Sequence, residues 1–171
     1  MHRAGFRRRQ FVYETDAELA ADVHEEARWL NYPPHPVAEP TEKEEWLRYF
    51  REKGHRERFL ARLKEAASAG EDGLFVWEQE AGGAPVAFLW LQVVRADSEE
   101  LPQGLVAEIG VAPAWRGRHL ALNMMGFAYD WLRDRGAKRA KVIVGAKNSS
   151  ALRLFHRLAL EIGRYEMEKL L

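Results

Sequence analysis

The sequence predicts an α/β fold, and three observations carry that prediction. The first is a change of period. From Ala20 to Ala66 the apolar residues recur at helical spacing, whereas after Gly70-Glu71-Asp72-Gly73 they follow the pattern of strands. The second is a hairpin, in which Leu74 to Gln79 and Val86 to Val94 are joined by Gly82-Gly83-Ala84-Pro85. The third is the stretch from Glu108 to Ala121, which reads as a strand, a tight connection and the opening of a helix. Val86 to Leu91 is apolar on both faces, so this strand is expected inside the sheet and covered on both sides.

The other elements follow in order. Phe6 to Tyr13 alternates loosely between apolar and basic residues and is a first strand, with Arg7-Arg8-Arg9 as its solvated face. Thr15 with Glu18 makes a capping-box pattern before a helix whose Ala20, Val23, Ala27 and Leu30 share one side. Asn31-Tyr32-Pro33-Pro34 ends it, and a proline-rich loop runs to Pro40. Thr41 with Glu44 repeats the box ahead of Trp46, Leu47, Tyr49 and Phe50, aromatic spacing that suits a core more than a pocket lining. Phe59, Leu60, Leu63 and Ala66 mark a third helix. A polar loop from Asp97 to Gly104 leads to the strand Leu105 to Val111, and a helix runs from about Gly117 to Arg135-Gly136. Ala140 to Val144 is a further strand, Asn148 caps a short helix through Leu158, and Ile162 to Leu170 is a closing strand. With no repeat and no linker, residues 1–171 read as one domain.

Composition narrows the function. Lys plus Arg and Asp plus Glu are both 26, so no overall field draws the chain to nucleic acid or an anionic membrane, and any polyanion site must be local. The absence of cysteine rules out a disulfide framework, a thiolate nucleophile and a Cys-based metal site, and the six histidines have no metal-ligand spacing. No apolar run approaches a membrane span or a secretory signal, which predicts a soluble, cytoplasmic protein.

The Arg116-Gly117-Arg118 turn lies just before a helix N-terminus, where unpaired backbone N–H groups, the macrodipole and two guanidinium charges favour phosphate oxygens. The C-terminal half here resembles the GNAT superfamily of acyl-CoA-dependent N-acyltransferases. Val111-Ala112-Pro113-Ala114-Trp115-Arg116-Gly117 matches that family's Val-x-Pro-x-x-Arg-Gly. Arg116 to Ala121 follows its Arg/Gln-x-x-Gly-x-Gly/Ala motif, with His119 in place of the first named glycine. Val144, Asn148, Ala151, Leu154 and Phe155 follow Val-x-x-x-Asn-x-x-Ala-x-x-Leu-Tyr, with Phe155 in place of tyrosine, and Ala159-Leu160 stands where the family has Gly-Phe.

The resemblance implies a central mixed, largely antiparallel sheet of six or seven strands flanked by helices. Residues 1–104 would form the acceptor side and residues 105–171 the acyl-CoA-binding half. It implies that Arg116, Gly117, Arg118, His119, Leu120 and Ala121 hold the pyrophosphate of acetyl-CoA, and that the Val111 N–H lies near the acyl carbonyl. Asn148 would join the cofactor site, although a plain N-cap explains it equally well. Phe155 would pack against the pantetheine or the core and cannot act as the acid toward the leaving sulfur. Glu108 is the candidate catalytic base: it stands in a strand otherwise free of charge, where desolvation would suit it to proton transfer, and its rival role is a structural carboxylate paired with an arginine. Glu25 and Glu26 receive no role, since such residues on an exposed helix face are usually solvated.

The expected activity is direct transfer of an acetyl group to a primary amine of a small molecule or peptide, without metal, nucleic acid or membrane. The rival is a catalytically weak acyl-CoA-binding or sensing domain, and an RNA-binding module using Arg7 to Arg9 is disfavoured by the charge balance. An exposed sheet edge would allow a homodimer.

Overall fold

The computed structural model describes residues 5–32, 39–80, 82–95 and 102–163. The chain order is β1 (Phe6–Gln10), α1 (Tyr13–Asn31), α2 (Lys43–Glu52), α3 (His55–Ala69), β2 (Gly73–Gln79), β3 (Pro85–Val94), β4 (Gln103–Val111), a 3-10 turn (Pro113–Trp115), α4 (Leu120–Asp134), β5 (Arg139–Val142) and α5 (Ser149–Arg157). The strands form one sheet in sequence order; β1 to β4 pair antiparallel and β5 runs parallel to β4.

Helices cover both faces of the sheet. Val76, Phe88 and Trp90 pack with Ala20, Val23, Phe59 and Leu63 of α1 and α3, while Leu89, Leu91 and Val106 pack with Met124, Met125, Ala128 and Phe155 of α4 and α5. The run from Val86 to Leu91 is therefore buried on both faces, as its composition demands. At about 25 cal/mol per Å² of apolar surface, burying such a strand stabilises the fold by several kcal/mol.

Several expectations need correction. The sheet has five strands among the described residues, not six or seven. Ile162 and Gly163 belong to no strand, and the rest of the closing strand, like the proline-rich stretch 33–38 and part of the polar loop, lies outside the described residues. Neither capping box forms. Helix α1 starts at Tyr13, ahead of Thr15, because the Asp16 carboxylate accepts the Val12 N–H at 2.8 Å and does the capping from inside the helix. Helix α2 starts at Lys43 with Glu42 before it and no side-chain cap. The Pro113–Trp115 turn delays α4 from Gly117 to Leu120.

The arginine run is not merely solvated. Arg7 and Arg9 both bind Glu78, Arg9 also forks onto Asp16 at 2.6 and 2.7 Å, and Arg8, on the other face, lies 3.7 Å from the centroid of the Phe127 ring. Glu25 is buried between Arg51 and Arg56. No described helix is long and apolar enough to cross a membrane, and no group of three His, Asp or Glu side chains among the described residues could hold a metal ion.

Candidate active site

The site begins with an irregularity in β4. Trp90 pairs with Glu108, yet Leu91 pairs with Val106, so Ala107 is an extra residue in the ladder. A bulge of this kind puts two successive side chains on one face of a sheet. Val106 faces α4, whereas Ala107 and Glu108 both face α1 and α3. Two residues on, Gly110 lets α1 come close: a Cβ there would stand 2.4 Å from Val23 Cγ1. That approach sets His24, the next residue of α1, beside Glu108, with Nδ1 2.8 Å from Glu108 Oε2. Both side chains are largely buried, and the His24 ring lies flat on Phe59, centroids 4.0 Å apart and planes 5° from parallel. The partner of Glu108 is thus a histidine and not the arginine that served as its rival reading.

The second feature is a parting of strands. Pairing between β4 and β5 ends at Val106 with Val142, so residues 107–111 bond to β3 alone. The Ala112 N–H donates to the Val86 carbonyl, and by the alternation of an antiparallel ladder the Val111 N–H and C=O point the opposite way, toward the open edge. A cleft of about 620 Å³ occupies this gap. Glu108, Val111, Arg116, Gly117, His119, Leu120, Ala121, Asn148 and Phe155 all line it, and so do His24, Phe59, Arg62 and Trp90.

The third feature is the turn into α4. Gly117 (φ 75°) and His119 (φ 60°) both adopt the left-handed conformation. That conformation is free for glycine but costs another residue about 1–2 kcal/mol, which gives a backbone reason for glycine at both points. The ladder of α4 opens with Asn123 N–H donating to the His119 carbonyl, leaving the amides of residues 120–122 ahead of it without intrahelical partners.

The side chains of the turn are less available than their charge suggests. Arg116 donates through Nε to the Val111 carbonyl at 3.0 Å and stands 3.4 Å from Glu26, while Arg118 lies over the Trp115 ring and is not part of the cleft lining. Burial alone would raise the Glu26 carboxyl; the Lys43 ammonium at 2.5 Å and Arg116 outweigh it and hold it below the usual carboxylate range. Asn148 caps α5 by accepting the Ala151 N–H at 3.2 Å, and its amide donates to Asn31. Phe155 is buried in the core on the α4 face while also reaching the cleft. Trp46 and Phe50 are core and do not line the cleft.

His24 and the bulge escaped the sequence reading. A lone histidine on an amphipathic helix carries no local signal, and a bulge that reassigns one residue of a strand is invisible to period-2 alternation. Only the glycine two residues after Glu108 hinted at a close approach there.

The sequence profile of the Acetyltransferase (GNAT) family matches residues 22–159. The chain belongs to this family. An uncharacterized N-acetyltransferase of Methanocaldococcus jannaschii is 30% identical over 96 residues, which make up 53% of this chain and 40% of that relative. The chain therefore aligns with less than half of that relative's length. The crystal structure of a GCN5-related N-acetyltransferase from Ralstonia eutropha superposes with a TM-score of 0.70 at 22% identity, covering 98% of this chain and 99% of that one. The structure of AAC(6′)-Iy in complex with the bisubstrate analogue CoA-S-monomethyl-acetylneamine gives a TM-score of 0.66 at 15% identity, with 97% of each chain covered. At these identities the solved structures share the fold.

Proposed function

We propose that the protein is an N-acetyltransferase that moves the acetyl group of acetyl-CoA to a primary amine by direct attack. The observation that carries this reading is the continuity of the open β4 edge with the left-handed turn and the unpaired amides of α4, inside a chain of the acetyltransferase family. A slot ending in a helix N-terminus fits an extended ligand with an anionic end. The bisubstrate analogue bound by AAC(6′)-Iy supports the same donor here.

Acetyl-CoA would supply the acyl group, activated as a thioester. The backbone of Gly117 to Ala121 would hold its pyrophosphate, with Arg116 and Arg118 adding charge at the rim. The Val111 N–H would polarise the acyl carbonyl, and Asn148 and Phe155 would flank the pantetheine. Glu108 would promote removal of the amine proton, directly or through an intervening group. The aromatic wall of Phe59 and Trp90 would shelter the acceptor from water, which strengthens each polar contact made there. The absence of cysteine favours direct transfer over a covalent enzyme intermediate. Phe155 favours the second reading, a slow or purely acyl-CoA-binding domain, and turnover separates the two.

The test is a melting titration with acetyl-CoA, CoA and ATP on wild type and His119→Asp, followed by thiol release with spermidine, an amino-acid amide, an aminoglycoside and a peptide N-terminus as acceptors. Aspartate tolerates the left-handed region and suits a helix N-terminus, so the variant folds while setting a negative charge against the phosphates. Ligand at about 100 times its dissociation constant stabilises by about 2.7 kcal/mol. Acetyl-CoA and CoA should raise the wild-type melt, ATP should not, and His119→Asp should lose the response. Loss of the wild-type response to both acetyl-CoA and CoA would remove the donor and the reading with it. Binding without thiol release from any amine would leave the second reading.

A further inference from the structure

We infer that the proton leaving the acceptor amine is taken by Nε2 of His24, with Glu108 orienting the imidazole instead of meeting the amine itself. This rests on the acetyltransferase reading and names the intervening group that the reading leaves open.

The geometry supplies the argument. A carboxylate can only accept, so the bond between Nδ1 and Glu108 Oε2 at 2.8 Å places the proton of the neutral ring on Nδ1 and leaves the lone pair on Nε2. Nε2 has no hydrogen-bond partner among the described residues, and His24 lines the cleft. The ring is not free to turn away: Phe59 stacks on it at 4.0 Å and Phe50 lies 6.2 Å off. An oriented and otherwise idle imidazole beside the open edge of β4 is a base ready for use.

The surrounding charges are compatible with this assignment. From β4 the ring faces Glu108, and from α3 it interacts with His55, whose imidazole is held below its ordinary value by burial and by Arg58. Arg62 of α3, and Glu26 and Arg28 of α1, line the same cleft, while Arg51 of α2 and Arg56 of α3 are tied to Glu25. The balance is simple. The nitrogen–carbon bond forms as the carbon–sulfur bond breaks, sulfur leaves as thiolate, and the amine proton becomes the Nε2 proton. The resulting imidazolium faces the Glu108 carboxylate until water removes the proton.

The test combines NMR with pH-rate profiles. In wild type without ligand, long-range ¹H–¹⁵N spectra should show His24 as the Nδ1–H tautomer, and Glu108→Gln should mix the tautomers. With acetyl-CoA and whichever amine of the panel releases thiol fastest, His24→Asn, which keeps a donor toward Glu108, should lower kcat about 10²–10⁴-fold and abolish the acidic limb of kcat/KM. Glu108→Gln should keep that limb, because the base is still present. Both variants should keep the acetyl-CoA melting shift. An Nε2–H tautomer in wild type would overturn the assignment. So would a His24→Asn enzyme that keeps its rate and limb while Glu108→Gln loses both. A wild type that neither binds acetyl-CoA nor turns over any amine would instead strike the acetyltransferase reading.

Discussion

Asn148 donates through Nδ2 to Asn31 Oδ1 at 2.9 Å, fastening the end of α1 to the start of α5 beside the cleft. The same oxygen accepts the Gly145 N–H at 3.0 Å, and a Cβ on Gly145 would stand 2.2 Å from the Asn31 carbonyl oxygen. One side chain therefore holds a seam that has no room for another. Asn31→Ala strands two donors, a loss of about 1–3 kcal/mol where such groups are buried. We expect a lower melting temperature and a weaker acetyl-CoA shift, because the seam borders the slot opened by the parting of β4 and β5. Gly145→Ala should reproduce both effects by steric means. Melting curves with and without acetyl-CoA check both variants, and an unchanged ligand shift in both would separate the seam from the site.

Acid should destabilise the protein through its buried carboxylates, of which Asp16 and Glu25 are the deepest. Burial alone would raise Asp16, but the Arg9 fork, the Val12 N–H and Thr15 bring it below its ordinary value; Glu25 is likewise raised by burial and brought down further by Arg51 and Arg56. A carboxylate whose folded pKa is depressed contributes stability that is fully present above its unfolded value, about 3.9 for Asp and 4.3 for Glu, and is lost as pH falls through the folded value. Denaturant midpoints should thus hold steady at neutral pH and decline below about pH 4. Asp16→Asn should be less stable at neutral pH, and its deficit should shrink as the medium is acidified. A deficit that stays constant with pH would assign the loss to packing.

How much of this was legible beforehand differs between the two halves of the chain. The hairpin, the doubly buried strand from Val86 to Leu91 and the strand-turn-helix at Glu108 to Ala121 announce themselves, because each rests on local periodicity and turn chemistry. The first capping box misled because Asp16, drawn inward by Arg9, offered the N-terminus of α1 a better partner than Thr15 did. Glu25 looked solvated because the two arginines that bury it come from α2 and α3, at sequence separations that no local pattern conveys. The residues of β4, α4 and α5 that line the cleft were named through a motif, whereas His24, 84 positions before Glu108, was not. Long-range pairing is decided by packing, and sequence periodicity does not carry it.

His119 holds a left-handed backbone conformation where glycine would sit without strain. Replacing it by glycine removes a cost of about 1–2 kcal/mol and gives back roughly half through the greater freedom of the unfolded chain. His119→Gly should melt no lower than wild type and should keep its acetyl-CoA response. His119→Val, β-branched at the same φ, should melt lower by at least about 1 kcal/mol. Thermal melts of the pair decide the matter, and a glycine variant that melts well below wild type would show that the imidazole makes a contribution beyond its backbone angle.

On the acetyltransferase reading, Phe155 would bear on catalysis as well as on packing. Its carbonyl accepts the N–H groups of Leu158 and Leu160, so the end of α5 is fixed, and its ring is buried on the α4 face at the margin of the cleft. A thiol of pKa about 8.5 that departs unassisted near pH 7 costs about 2 kcal/mol, and general acid assistance is typically worth about 10²–10⁴-fold. Phe155→Tyr adds one hydroxyl with little change in shape. It should raise kcat at least about tenfold, leave KM nearly unchanged and introduce a basic limb in the rate profile, the signature of a group acting in the transition state and not in ground-state binding. Steady-state kinetics from pH 6 to 10 on both proteins give the answer. An unchanged kcat with an unchanged melting temperature would mean that the thiolate leaves without an acid and that Phe155 serves the site only by packing.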